Sequence, residues 1–269
     1  MCVKSQQTLL QNKILYPKYD GADENYFQHS SVAWISQMRD LKSLRNFIEA
    51  TFNHSSKENC KVSLLSGEDF ENFLVDIHLA IEFEAIAKSV GYSEVEWIVV
   101  HRSPIDYLLS IYSEKSAYKV VLDIGLMANA ILKYGFFVAS SPDYNYKFVF
   151  DIKKFSELFM NNVSPNLRVV EFDSFIKGFP GKPILGQLVD EKSLKKLKEN
   201  SNSIGIKRKR LPKERVEFRY IANFLGMNAD KDFHENNKNL VDSLIAHRLN
   251  RNELLLEEIE AKFKEKFGF

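Results

Sequence analysis

The segment His101–Tyr112 (HRSPIDYLLSIY) brings together residue types that can bind an anion. It follows the apolar run Val95–Val100, which predicts a β-strand, so Arg102 would stand just past the end of that strand. Ser103 and Asp106 have the spacing of a capping box, with proline between them at the first helical position, and they predict a helix that begins there. A guanidinium next to a helix N-terminus is suited to binding phosphate.

The predicted helix places Ser103, Tyr107 and Ser110 on one face, because these residues lie four and seven positions apart. Most of the apolar side chains of the segment fall on the other face. The same residues also fit a purely structural reading, in which Arg102 is an ordinary ion-pair partner and Ser103 only starts a helix. The residue pattern by itself favours the structural reading.

Five residues of this segment match a known motif in identity and spacing: Arg102, Pro104, Asp106, Ser110 and Tyr112. The stretch resembles the 3′-phosphate-binding motif of sulfotransferases, the enzymes that use 3′-phosphoadenosine 5′-phosphosulfate (PAPS). In that family a strand ends in Arg, x-Pro-x-Asp follows, and a Ser stands eight residues after the Arg. The resemblance implies that Arg102 and Ser110 hold the 3′-phosphate of the cofactor.

Weaker similarities to bacterial carbohydrate sulfotransferases occur in the same order along the chain: Ile14–Pro17, Leu64–Asp69, Val169–Phe172 and the basic run Lys207–Arg210. The resemblance implies that the basic run is a late loop in which Lys207 and Arg208 assist in holding the cofactor. A short basic run is also typical of a solvated surface. No aromatic residues are interleaved with it and the net charge is +1, so a nucleic-acid partner is not expected.

The glycine-containing loop that cradles the 5′-phosphosulfate in this family has no clear counterpart in the sequence. The nearest segment, Lys4–Gln11, contains Lys4 and Thr8 but no glycine. Three explanations stay open: a chain shortened at its N-terminus, a degenerate loop that binds the cofactor weakly, or loss of catalysis with retention of binding. Lys4 takes the role of the cofactor lysine only if the degenerate loop functions.

Sulfuryl transfer needs a base for the acceptor hydroxyl, and two residues are candidates. His29 titrates near neutrality and lies in a polar stretch, although a solvated loop histidine would look the same. Glu68 follows a predicted strand at a helix start, where a glutamate also simply complements the helix dipole. Both are therefore candidate catalytic residues with structural alternatives.

The composition excludes several classes of protein. The chain has 269 residues, 37 Lys and Arg against 36 Asp and Glu, and a 45% hydrophobic fraction, which does not fit a disordered chain. Two cysteines without metal-ligand spacing favour a reducing compartment and no metal site. No signal peptide is evident, and the apolar stretch Val120–Ala139 carries two charges, which predicts a buried helix and a cytoplasmic protein.

Local patterns predict the elements that would position these residues. Strands are expected at 61–65, 95–100 and 167–172, and helices at 37–52, at 70–90 with a break near 76–78, and at 152–162. After residue 188 the pattern is helical, and it ends in an amphipathic helix at about 240–266. These elements predict an α/β fold with a mostly parallel sheet flanked by helices, similar to P-loop NTPases and sulfotransferases. A single domain is expected over 1–269, with 211–269 as its helical C-terminal portion.

Two functional hypotheses follow. The first is a sulfotransferase that moves a sulfuryl group from PAPS to a hydroxyl, most simply that of a carbohydrate, by direct in-line attack without a metal, and leaves 3′-phosphoadenosine 5′-phosphate. The second is a non-catalytic protein on the same scaffold that binds a nucleotide or a glycan. No residue pattern identifies the acceptor.

Overall fold

A computed structural model of the chain describes residues 5–18, 28–118, 120–140, 145–202 and 211–268. Over these residues the protein is mixed α/β and 66% helical. The helices are α1 (Gln6–Gln11), α2 (Ser30–Gln37), α3 (Leu41–Lys57), α4 (Asn72–Val75), α5 (Ile77–Val90), α6 (Pro104–Ala117), α7 (Ile124–Tyr134), α8 (Ile152–Asn162), α9 (Phe172–Ile176), α10 (Lys182–Leu185), α11 (Glu191–Asn202), α12 (Lys213–Phe224), α13 (Lys231–Asn236) and α14 (Lys238–Phe267). The strands are β1 (Ile14–Leu15), β2 (Val62–Ser63), β3 (Trp97–His101), β4 (Phe136–Ser140), β5 (Asn145–Val149) and β6 (Leu167–Glu171).

The described strands form three two-stranded sheets, β1–β2, β3–β6 and β4–β5. The first two pairs are parallel, and β3 aligns with β6 over five residues, from Trp97 opposite Leu167 to His101 opposite Glu171. A single continuous parallel sheet is not present among these strands. Parallel pairing agrees with the prediction, whereas the P-loop-like arrangement stays a prediction.

Most local predictions are confirmed within a few residues. The three predicted strands correspond to β2, β3 and β6, and the predicted break near residues 76–78 falls between α4 and α5. The helix start predicted at Glu68 is a 3-10 turn over Glu68–Glu71, with Gly67 at its N-cap. The single helix predicted over Val120–Ala139 is wrong in extent, since α7 ends at Tyr134 and β4 follows.

The turn from α7 into β4 explains why that apolar stretch is not one helix. Gly135 stands at the C-cap of α7 in the left-handed region, with φ of 83°, and its amide donates to the carbonyl of Ile131. A glycine in this conformation terminates a helix at little steric cost. No helix within the described ranges is long and apolar enough to cross a membrane.

The chain divides into two compact units. Unit 1 comprises Met1–His101 and Val138–Gly205, and unit 2 comprises Arg102–Phe137 and Ile206–Phe269. Unit 1 therefore contains β3 and β6, and unit 2 contains α6, α7 and the C-terminal helices.

An aromatic cluster forms a large part of the core of unit 1. Trp97 of β3 contacts Phe73, Phe83 and Phe159, with ring centroids 5.4–5.7 Å apart. Its indole Nε1 donates to Oε1 of the buried Glu84 at 2.7 Å, so the polar edge of the ring is satisfied. The cluster anchors β3 against α4, α5 and α8.

Unit 2 is built from helices that pack around α14. The buried side chains come from α6, α7, α12 and α14: Leu108, Ile111, Ile124, Met127, Ile131, Phe218, Ile221, Val241, Ile259 and Phe263. Helix α14 packs against α6, α7, α12 and α13. Each of these four helices of unit 2 therefore contacts α14.

Gly91, which ends α5 before β3, provides a test of how tightly unit 1 is packed. Its φ is 127°, and a Cβ added there would lie 2.6 Å from the Phe52 ring. We expect Gly91→Ala to lower the free energy of unfolding by about 2–4 kcal/mol, from backbone strain and overpacking together. Urea denaturation measures this value.

Gly226→Ala is the matched control. Gly226 has a positive φ of 69°, but a Cβ there would meet nothing within 4 Å. Only the backbone cost of about 1–2 kcal/mol is expected. Equal losses in the two variants would contradict close packing of Phe52 on the α5 terminus.

Candidate functional site

Arg102 and Ser103 connect β3 to α6, as the sequence predicts. Ser103 occupies the N-cap position of α6 and Pro104 the first helical position. The Ser103 side chain makes no capping hydrogen bond, so the predicted capping box is correct in position but not in its hydrogen bond. The α6 N-terminus thus keeps the positive end of the helix dipole next to Arg102, with Asp106 in the first turn.

Helix α6 presents two different faces. Ser103, Tyr107 and Ser110 are half-buried, whereas Leu108 and Ile111 are fully buried. The Tyr107 amide donates to the Ser103 carbonyl at 2.9 Å, so the helix is regular from its first turn. Arg102 is likewise half-buried. Ser110 therefore lies on the face predicted to carry ligand-binding groups.

The opposite face of α6 carries Tyr112, which belongs to a buried polar network in unit 2. The Tyr112 hydroxyl donates to Glu217 Oε1 at 2.8 Å and accepts from Arg248 Nη2 at 3.1 Å. Arg248 Nε donates to Glu217 Oε2 at 2.6 Å, and Asn252 Nδ2 donates to Glu217 Oε1 at 2.9 Å. These four side chains, which we call the Glu217 network, join α6, α12 and α14.

The Glu217 network is almost completely shielded from solvent. Glu217 is 3% exposed, and Tyr112 and Asn252 are each 6% exposed. Burial, together with the nearby Glu217 charge, raises the pKa of the Tyr112 phenol well above its usual value. Burial would lower the pKa of Arg248, but its hydrogen bonds to Glu217 and Tyr112 outweigh this and raise it. The Arg248 guanidinium is therefore charged, and the Tyr112 phenol stays neutral.

A second contact of α14 fixes the start of α7. Arg251 Nη1 and Nη2 lie 2.8 and 3.2 Å from the two carboxylate oxygens of Asp123, the N-cap residue of α7. Burial would raise the pKa of Asp123, but Arg251 and the amides of Gly125 and Leu126 outweigh it and lower the pKa. About one turn of α14 thus binds polar groups of three other helices, α6, α7 and α12, through Arg248, Arg251 and Asn252.

Sequence reasoning missed Glu217, Arg248 and Asn252. A signal was present, because Arg248 and Asn252 interrupt a helical stripe whose other members include Val241, Ile259 and Phe263. Two polar residues within such a stripe indicate either a break in the buried face or a buried polar partner. The partner comes from another helix and is not visible locally.

His29, the first candidate base, is buried in unit 1 with both ring nitrogens engaged. Nε2 lies 2.9 Å from the Pro17 carbonyl oxygen, and Nδ1 lies 3.0 Å from the Ser66 amide nitrogen. A neutral ring that donates from Nε2 and accepts at Nδ1 satisfies both contacts. Burial lowers the pKa of His29, and the backbone contacts oppose this only in part. These contacts favour a structural role for the ring.

The other predicted site residues differ in accessibility. Glu68 is exposed at the start of the 3-10 turn, and its amide donates to Gln28 Oε1 at 3.1 Å. Thr8 lies within α1 and is 2% exposed, so its part of the predicted degenerate loop is helical and the Thr8 side chain is buried. Lys4, Lys207 and Arg208 lie outside the described residues.

Within the part of the chain that the structure describes, no group of three or more His, Cys, Asp or Glu side chains is arranged to hold a metal ion. Comparison with models of known protein families, with curated proteins and with solved structures finds no match to this chain.

The buried state of His29 leads to a pH-dependent stability. The pKa of His29 in the folded chain lies below the ordinary value of 6.5. Between these two pKa values the unfolded chain therefore binds more protons than the folded chain. The stability that the neutral ring contributes is present above pH 6.5 and is lost as the pH falls toward the lowered pKa. We expect the stability advantage of the wild type over His29→Gln, measured by urea unfolding, to shrink between pH 7.5 and pH 5.

The comparison uses the difference between the two proteins, so other titrating groups cancel. An advantage that stays constant or grows on acidification would contradict a buried neutral His29.

Proposed function

We propose that the chain binds the 3′-phosphate of PAPS at Arg102 and the start of α6, and that it serves sulfuryl transfer to a carbohydrate hydroxyl. The observation that carries the proposal is the placement of Arg102 directly before an α6 N-terminus whose N-cap serine makes no side-chain capping bond. A guanidinium and first-turn amides are the groups that bind phosphate at helix N-termini. The spacing from Arg102 to Ser110 supports this choice of anion, through the resemblance to sulfotransferases.

The residues of unit 2 fit the phosphate end of this cofactor. Arg102 would supply a fixed positive charge, since a guanidinium stays protonated at any physiological pH. Ser110 lies six residues beyond Pro104, about 9 Å along the helix. Its hydroxyl would donate to a phosphate that lies along the first two turns of α6, where the extended Arg102 side chain would also bind it. Lys207 and Arg208 are assigned to the same phosphate by the resemblance alone.

For the sulfate end of the cofactor, the described residues offer only the two candidate bases. When bound, PAPS supplies a sulfuryl group whose bond to the 5′-phosphate breaks as the acceptor oxygen bonds to sulfur and loses its proton. Of the two candidate bases, Glu68 is exposed, whereas His29 is buried with both ring nitrogens engaged. We therefore favour Glu68 over His29 as the base.

A second candidate function is a non-catalytic module that binds a nucleotide or a glycan. It is favoured by Thr8, whose burial within α1 removes it from contact with a ligand. Transfer of radiolabelled sulfate from PAPS to any glycan acceptor, abolished by Glu68→Gln, would exclude this alternative. Nucleotide binding without transfer to any acceptor in such a panel would support it.

The phosphate site is tested by calorimetric titration with 3′-phosphoadenosine 5′-phosphate. We expect Arg102→Ala to weaken binding about tenfold or more, because a charge-assisted hydrogen bond contributes about 1.5–3 kcal/mol.

Arg45→Ala is the control, since Arg45 is an exposed arginine of α3 that contacts Ser89 and Glu49. Its affinity should equal that of the wild type. Absence of binding to the wild type, or equal affinities of the wild type and Arg102→Ala, would overturn the cofactor assignment.

A further inference from the structure

The Glu217 network contacts the helix that carries the proposed phosphate site, but from its opposite side. Tyr112 follows Ser110 by two residues, which corresponds to about 200° around the helix axis. Tyr112 is held by Glu217 and Arg248, while Ser110 is half-buried on the other face. Whatever fixes the rotation of α6 about its axis at Tyr112 therefore also fixes the direction of the Ser110 Cα–Cβ bond, which carries the hydroxyl.

Two contacts from α12 hold the second half of α6. Glu217 accepts from the Tyr112 hydroxyl, and Asn223 Nδ2 donates to the Ser116 carbonyl at 3.0 Å. The Ser116 carbonyl belongs to the last turn of α6, where backbone acceptors have no partner within the helix. Helix α12 thus contacts α6 both at its side and at its end.

Arg248 gives the network its rigidity. Its side chain is 13% exposed and lies over the Tyr220 ring, with the guanidinium carbon 3.5 Å from the ring centroid. The guanidinium thereby has one face on an aromatic ring and its edge on Glu217 and Tyr112. A planar group held in this way leaves the phenol hydroxyl little freedom to rotate or shift.

Stability alone is a weak reason for burying this ion pair, because an apolar replacement of similar volume is often equally stable. Polar groups that fix one helix setting offer a better reason. We infer that Glu217 and Arg248 are positioning residues for the proposed phosphate site, and that they act through Tyr112 on the orientation of Ser110. This inference rests on the proposed function, since it assigns the network to the same anion.

The test is a double-mutant cycle on affinity for 3′-phosphoadenosine 5′-phosphate, measured by calorimetry with the wild type, Tyr112→Phe, Ser110→Ala and the double variant. Tyr112→Phe removes only the hydroxyl and should weaken binding about fivefold. If Tyr112 acts through Ser110, the same change should cost less than about twofold once Ser110 is alanine. Independent effects that multiply in the double variant would overturn the inference.

Two further variants exclude a general loosening of the fold. Glu217→Gln keeps the shape of the side chain. Like Tyr112→Phe, it should weaken nucleotide binding when Ser110 is present and should have a smaller effect when Ser110 is alanine. Tyr92→Phe is the matched control, because it also removes one tyrosine hydroxyl, which donates to Ser63 Oγ at 2.8 Å in unit 1. Its affinity should stay within about twofold of the wild type.

A loss in Tyr92→Phe as large as that in Tyr112→Phe would also overturn the inference. A wild type that does not bind the nucleotide would overturn the proposed function, and this inference with it. That outcome is distinct from an additive cycle, which requires measurable binding by the wild type.

Discussion

The buried carboxylate of Glu217 sets the strictest constraint on unit 2. A buried carboxylate must be paired and hydrogen-bonded, and Glu217 meets this requirement with three donors from two other helices. Removing one partner of a buried ion pair costs about 3–5 kcal/mol, so α6, α12 and α14 can meet in few other ways. The setting of α6, and with it the face that carries Ser110, follows from satisfying this one group.

Local sequence patterns predict much of the secondary structure. Strands such as Leu167–Glu171 and helices such as Ile152–Asn162 are short apolar or periodic runs bounded by polar residues, and their signals are local. The pairing of the strands was harder to predict. β3 pairs with β6, which lies about seventy residues further along the chain, and β1 has only two residues. Such pairings depend on tertiary packing, which a single sequence does not display.

The candidate site was predictable only where it is continuous in sequence. Arg102, Ser103 and Ser110 lie within nine residues, so the helix start and its face follow from spacing alone. Glu217 and Arg248 lie more than a hundred residues later and meet Tyr112 only in the folded chain. The burial of His29 could not be predicted from its neighbours in the sequence. Its neighbourhood is polar in sequence, yet the ring is held between the Pro17 carbonyl and the Ser66 amide.

We propose that the start of α6 and its Ser110 face bind the 3′-phosphate of a nucleotide. Chemical-shift mapping of the ¹⁵N-labelled chain tests it most directly, with 3′-phosphoadenosine 5′-phosphate compared with adenosine 5′-monophosphate, which lacks the 3′-phosphate. We expect the first ligand to shift the amides of Arg102, Ser103, Ile105, Asp106 and Ser110 most, and the second to leave them nearly unchanged. Equal shifts with both ligands, or the largest shifts elsewhere in the chain, would contradict a 3′-phosphate site at α6.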